Sequence, residues 1–329
     1  MKINRLRNLL SVFLLGLCGC STINVKLGRR VDLTKTPVTS IEVNLPKNPG
    51  IAPGQKVPLV VTAAQPNGKV LLTEGQGKGK IQWKDLKVTT SIVTADQKGN
   101  LSLSKDPRVS DGKIGHVTVT IPSQPTITAA ELDVPFRYDV AFVSNFSGRA
   151  GTSGNNGLDG QNGTSGSNGS TDPNSPSPGG NGTDGTDGSN GGDGGPGGTA
   201  PPVQVLLTLQ PGNHPLIQAS VSAAGHRRLY LVDPQGGSLT VKADGGPGGS
   251  GGRGGRGGQG GAGGSGQPGG NSGHNGADGL NGSDGPPGKG ATITVTYDPG
   301  IRPYLSVIHL SSKNGPPQIF VQQPVGPLW

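Results

Sequence analysis

Glycine occupies every third position from Gly246 to Gly288, with Gln267 the one exception. Two shorter ladders keep the same spacing, from Gly148 to Gly169 and from Gly179 to Gly197. A period of three is neither the 3.6 of an α-helix nor the 2.0 of a strand. It belongs to a polyproline-II-type helix, with three residues per turn and a rise of about 3.1 Å. One ridge of such a helix is bare backbone and can lie directly against another backbone. Run straight from Gly246 to Gly288, it would be about 130 Å long. The chain is therefore expected to fold back, with Gln267-Pro268 and residues 170–178 as the turns.

Three arrangements share this composition. High Gly and Pro content ordinarily gives a flexible chain, but a linker has no reason to keep phase. A collagen triple helix keeps the phase, and Gly285-Pro286-Pro287-Gly288 looks like collagen. Few other positions between the glycines are Pro, however, and many glycines are doubled, from Gly245-Gly246 onward to Gly263-Gly264. Collagen uses one glycine per triplet at its axis. A second bare ridge suits a single-chain bundle, with Gly-Gly-x triplets in inner helices and Gly-x-y triplets in outer ones. The pattern resembles the glycine-rich bundles of some phage adhesins, an arthropod antifreeze protein and the N-terminal domain of a bacterial GTPase family. Each glycine costs roughly 0.5–1 kcal/mol more to order than alanine, so a bundle requires dense backbone hydrogen bonding.

The N-terminus carries an address. Lys2, Arg5 and Arg7 precede an apolar stretch, residues 9–17, that ends in Leu17-Cys18-Gly19-Cys20. The stretch is too short to span a bilayer, which takes about 20 residues, and suits a signal-peptide core. Leu17-Cys18-Gly19-Cys20 resembles the lipobox of bacterial lipoproteins. The resemblance implies a signal peptide over 1–19, cleavage between Gly19 and Cys20, and a lipid anchor on Cys20. Ser21 resembles the sorting residue of outer-membrane cargo, so the expected location is the outer membrane, exposed at the surface. Cys18 would leave with the signal and Cys20 would carry lipid, which leaves no disulfide and no thiolate metal site. Residues 20–36 are polar and basic and read as a tether. The net charge of +8 falls to +5 without Lys2, Arg5 and Arg7, too mild to imply nucleic acid.

Between 37 and 140 short alternating apolar runs recur, separated by turn formers such as Asn67-Gly68, Lys98-Gly99 and Asp111-Gly112. Strands are expected at 40–45, 56–63, 70–73, 81–91, 101–104, 116–122 and 128–138, with Trp83 a core anchor in mid-strand. Ile51-Ala52-Pro53-Gly54-Gln55-Lys56, followed by Leu59-Val60-Val61 and Asn67-Gly68-Lys69, resembles bacterial Ig-like domains, whose fold is a β-sandwich. From 141 to 329 the glycine ladders alternate with further strands, expected at 203–209, 216–223, 228–232, 238–243, 291–297, 304–310 and 319–321. Those at 238–243 and 291–297, on either side of the long ladder, are placed to pair with each other. The fold class expected is thus mainly β: an Ig-like β-sandwich, then a glycine-rich polyproline-II-type bundle with flanking strands, and essentially no α-helix after the signal peptide.

Chemistry is sparse. Gly179-Gly180-Asn181-Gly182-Thr183-Asp184 begins like a calcium-binding nonapeptide, but no second copy follows nine residues later. Asp159, Asp184, Asp187 and Asp193 therefore read as solvated outer-face residues. Arg253 and Arg256 lie in an RGG-like stretch without interleaved aromatic rings, which argues against RNA. The five histidines lack metal-ligand spacing. No catalytic, cofactor or metal residue is nominated, and no enzyme is expected. The expectation is a lipid-anchored envelope protein, structural or adhesive, held to the membrane through Cys20 and meeting a protein or carbohydrate partner. The alternative is a periplasm-facing accessory lipoprotein of an envelope assembly or secretion system.

Overall fold

The computed structural model describes residues 29–46, 49–210, 212 and 214–329. Gly19 and Cys20, the expected cleavage and lipidation residues, lie outside them. The fold is mainly β, and among the described residues no helix is long and apolar enough to cross a membrane. The chain divides into two compact units. The first runs to Val140 and takes in Leu229–Gly237 and Trp329; the second holds Ala141–Arg228 and Ser238–Leu328.

The first unit contains β1 (Ser40–Asn44), β2 (Lys56–Pro58), β3 (Val60–Ala64), β4 (Val70–Leu72), β5 (Lys87–Ser91), β6 (Thr94–Ala95), β7 (Asn100–Ser102), β8 (Gly115–Thr120) and β9 (Ala130–Val134). They form three antiparallel sheets, ordered β1-β3-β4, β2-β7-β6 and β5-β8-β9. Alternate residues such as Ile41, Val43, Val117 and Val119 enter one core with Leu59, Ile81 and Leu101. The strands are more numerous and shorter than the seven expected. The Leu59 N–H donates to the Gly99 carbonyl between β2 and β3, which splits the expected run 56–63. Trp83 is buried, but in a 3-10 turn (Trp83–Asp85) and not in mid-strand. Its indole lies against Gly99, at φ +72°, where a Cβ would overlap the ring.

The tether reading fails at its C-terminal end. Leu33 is fully buried in this core. The Gln124 amide donates to the carbonyls of Leu33 and Thr36 and accepts from Val38 N–H. One half-buried amide thereby satisfies three backbone groups of a segment whose composition alone looked free.

The remaining strands are β10 (Ala141–Asn145), β11 (Val203–Gln210), β12 (Leu216–Ala223), β13 (His226–Val232, of which Leu229–Val232 belong to the first unit), β14 (Ser238–Lys242), β15 (Ile293–Tyr297), β16 (Ile308–Ser311) and β17 (Ile319–Gln322). One sheet has the order β10-β14-β16 and is parallel. The other has the order β13-β12-β11-β15-β17, with β11, β15 and β17 parallel. The expected pairing of 238–243 with 291–297 does not occur: β14 lies between β10 and β16, and β15 between β11 and β17. The expected strand at 304–310 starts only at Ile308, because Asp298 caps Gly300 N–H and Pro299 opens a 3-10 helix through Val307.

Candidate functional site

The glycine ladders form four three-residue-per-turn helices: I (148–169), II (179–198), III (245–264) and IV (270–288). Every third N–H of helix I donates to helix III, from Gly148 to Asp244 O through Gly169 to Ser265 O. Helix II donates from Gly182, Gly185, Gly188 and their repeats to helix IV, and from Thr183, Thr186, Ser189 and their repeats to helix I. The second glycines of III donate to II, and the glycines of IV donate to III. Helices I and III are parallel, as are II and IV, and each of II and III touches the other three. Residues 170–178 and Gln267-Pro268 form the expected turns.

Glycine is required here by contact. A Cβ on Gly255 of helix III would overlap the Leu158 carbonyl of helix I, while Gly255 N–H donates to Ser189 O and its own carbonyl accepts from Gly279 N–H. Helix II solves the same problem differently. At its ends the second position is Gly180, Gly192, Gly195 or Gly198, as doubling demands for an inner helix. At its centre stand Thr183, Thr186 and Ser189, whose hydroxyls accept the N–H groups of Thr164, Gln161 and Leu158.

The acidic and amide residues are structural as well. Asn181, Asp184, Asp187, Asn190 and Asp193 of helix II each accept the N–H of a helix IV residue, from Asn271 to Ser283, at 2.6–2.9 Å. Asn156, Asp159 and Asn162 of helix I accept from Arg253, Arg256 and Gln259. Asn275, Asp278, Asn281 and Asp284 of helix IV accept from the first glycines of helix III. The solvated-face reading of Asp159, Asp184, Asp187 and Asp193 is thus incomplete: each is exposed but closes a backbone donor. His274 N–H, helped by the imidazole, holds the Asp184 carboxyl below its ordinary pKa. The sequence signal was present as an Asx residue immediately before glycine in most triplets of helices I, II and IV.

Two faces result. One carries the arginine ridge of helix III, Arg253 and Arg256, between the Asx ridges of helices I and IV. The other carries helix II between the outward ridges Arg149–Ser167 of helix I and Asn271–Pro286 of helix IV. Leu158 and Leu280 are the only large apolar residues in the four helices. Both stand on this second face, 78% and 72% exposed. They share one level: Ser189 N–H donates to Leu158 O, and Gly191 N–H donates to Leu280 O. Among the described residues no group of three His, Cys, Asp or Glu is placed to hold a metal ion. No protein-family model and no curated protein matches the chain.

Proposed function

We propose that this chain is a lipid-anchored cell-envelope protein whose glycine bundle is a rigid platform for contact with a protein or carbohydrate partner. The observation that carries the reading is the pair of exposed leucines. Every other outward position near them is polar, Ala or Pro, and the neighbouring Asp187 and Asn190 of helix II close N–H groups of helix IV. Leu158 and Leu280 offer only their backbone to the lattice, so their side chains add nothing to its stability and are free for apolar contact. The surrounding Ser, Asn, Asp and Thr ridges supply fixed polar groups at a regular spacing, which suits recognition without rearrangement. Anchorage rests on the lipobox resemblance at Cys20.

The double variant Leu158→Ser, Leu280→Ser should melt with the wild type and lose cross-linking to its envelope partner on intact cells. Unchanged cross-linking would remove the platform reading. Cys20→Ala should abolish palmitate labelling; retained labelling would remove the anchor. Antibody labelling of intact cells separates a surface platform, which is stained, from a periplasm-facing accessory protein, which is not.

A further inference from the structure

We propose that the outer edge of β17 is a self-association surface that pairs antiparallel with β17 of a second copy of this chain. In the five-stranded sheet β17 is an edge, bonded to β15 on one side only. Gln323 N–H donates to Tyr297 O. By the alternation of a parallel ladder, Ile319, Val321 and Gln323 then turn their backbone groups toward β15. Phe320 and Gln322 turn theirs outward.

Edge strands are ordinarily blunted by charge, proline or a bulge. The opposite edge follows that rule, since β13 opens His226-Arg227-Arg228. β17 does not. Its sequence is Ile-Phe-Val-Gln, without charge, and all four residues are exposed. Ile319 is 49%, Phe320 52% and Val321 37% exposed. Residues on both faces of the strand are apolar, because Phe320 lies in register with Val295, while Ile319 and Val321 lie with Thr294 and Thr296.

An occupant must therefore be an extended, uncharged strand, apolar on both faces and short enough to end before Pro324. β17 itself meets each condition. A two-fold axis at Val321 sets Phe320 opposite Gln322 of the second copy, and the reverse. All outward N–H and C=O groups of both strands are then used in four hydrogen bonds, an isologous interface. A four-residue pairing buries less than the roughly 1,200 Å² of a standard stable interface. Association is thus weak and visible only as a concentration dependence.

The test is equilibrium sedimentation of the full-length chain in a mild detergent, up to about 0.5 mM. The wild type should shift from monomer toward dimer with concentration. Val321→Lys sets two ammonium groups opposite each other at the axis and should weaken the dimer at least about tenfold. Gln322→Pro removes an outward donor while leaving the β15 bonds, and should weaken it similarly. Thermal melting checks that both variants fold. A wild type monomeric throughout, or folded variants that dimerise as well as the wild type, would overturn the proposal.

Discussion

The same substitution, glycine to serine, should have unequal consequences at two positions that are alike in sequence but lie on different ridges. At Gly255 the new Cβ points into the Leu158 carbonyl, with Asp159 N only 3.0 Å away, so helix I must move outward. That motion stretches the bonds from Gly157 N to Arg253 O and from Gly160 N to Arg256 O, both now 2.7 Å. Overpacking costs about 1–3 kcal/mol, and two weakened backbone bonds about 1 kcal/mol each. Gly255→Ser should therefore destabilise the second unit by about 3–5 kcal/mol, or about 10 °C in melting temperature. At Gly192 the nearest atom to an added Cβ is Asn155 N at 3.3 Å. Gly192→Ser lies on the ridge where Ser189 already accepts the Leu158 N–H at 2.7 Å. Its hydroxyl can take the Asn155 N–H in the same way, and the lost glycine freedom favours folding by about 0.4–1 kcal/mol. Gly192→Ser should melt within about 1 kcal/mol of the wild type. Denaturant titration and calorimetry of the two full-length variants read the difference. Equal melting would refute the claim that ridge position, and not glycine content, holds the bundle.

Three further outcomes follow from the same geometry. Asp187→Ala leaves Ala277 N–H without its 2.7 Å acceptor and should cost about 0.5–1.5 kcal/mol, whereas Asp187→Asn keeps the acceptor and should be neutral, both by denaturant titration. In the first unit Lys56 Nζ, 2.5 Å from Asp96, and the N–H groups of Asn100 and Lys98 hold the Asp96 carboxyl far below its ordinary 3.8. A depressed carboxylate stabilises the fold above its unfolded pKa and loses that stabilisation as pH falls. The gap between wild type and Asp96→Asn, about 1 kcal/mol for so open a pair, should be full at pH 6 and shrink steadily below pH 4. Deleting residues 160–162 alone shortens helix I by about 9 Å against its neighbours and should melt the bundle. Deleting 160–162, 185–187, 257–259 and 276–278 together, one triplet from each helix, should leave a shorter cooperative bundle by calorimetry.

The glycine period made the three-residue helices and both turns legible, and the doubling marked helix III as inner along its whole length. Helix II was not legible in the same way. Its central triplets read as Gly-x-y, because Thr183, Thr186 and Ser189 fill with a hydroxyl the space that doubling leaves empty elsewhere. The flanking strands were visible as alternating runs, but their partners were not, since adjacency in sequence suggested pairing across the ladder. What decides the partner is direction. Helices I and III run parallel, so β10 and β14, which feed them, also lie parallel; β11 and β15 receive II and IV in the same manner. The offset of Ala141 from Ser238 is the offset of Asn156 from Arg253, 97 residues in both. That of Val203 from Ile293 recurs between Asn181 and Asn271, 90 residues in both. Burial of Leu33 was invisible for a simpler reason: its partner amide, Gln124, lies 91 residues away.

Backbone edges arise in both halves of the second unit and are treated differently. In the bundle, helices I and IV are the outer members and have one glycine per triplet. Their other two ridges carry side chains, and those side chains already serve inward N–H groups: Asn156 and Asp159 on one helix, Asp278 and Asn281 on the other. A fifth helix would meet a Cβ at every approach, so the lattice closes itself at four. The arginines of helix III are held at their backbone in the same closure, which fixes them as a ridge and leaves their guanidinium groups outward. The sheet has no equivalent device at β17, where Phe320 and Gln322 present backbone groups among uncharged neighbours. If glycine-rich packing were merely sticky, the bundle would be where copies of the chain meet. The side-chain closure of helices I and IV argues that association belongs instead to the uncharged edge at β17.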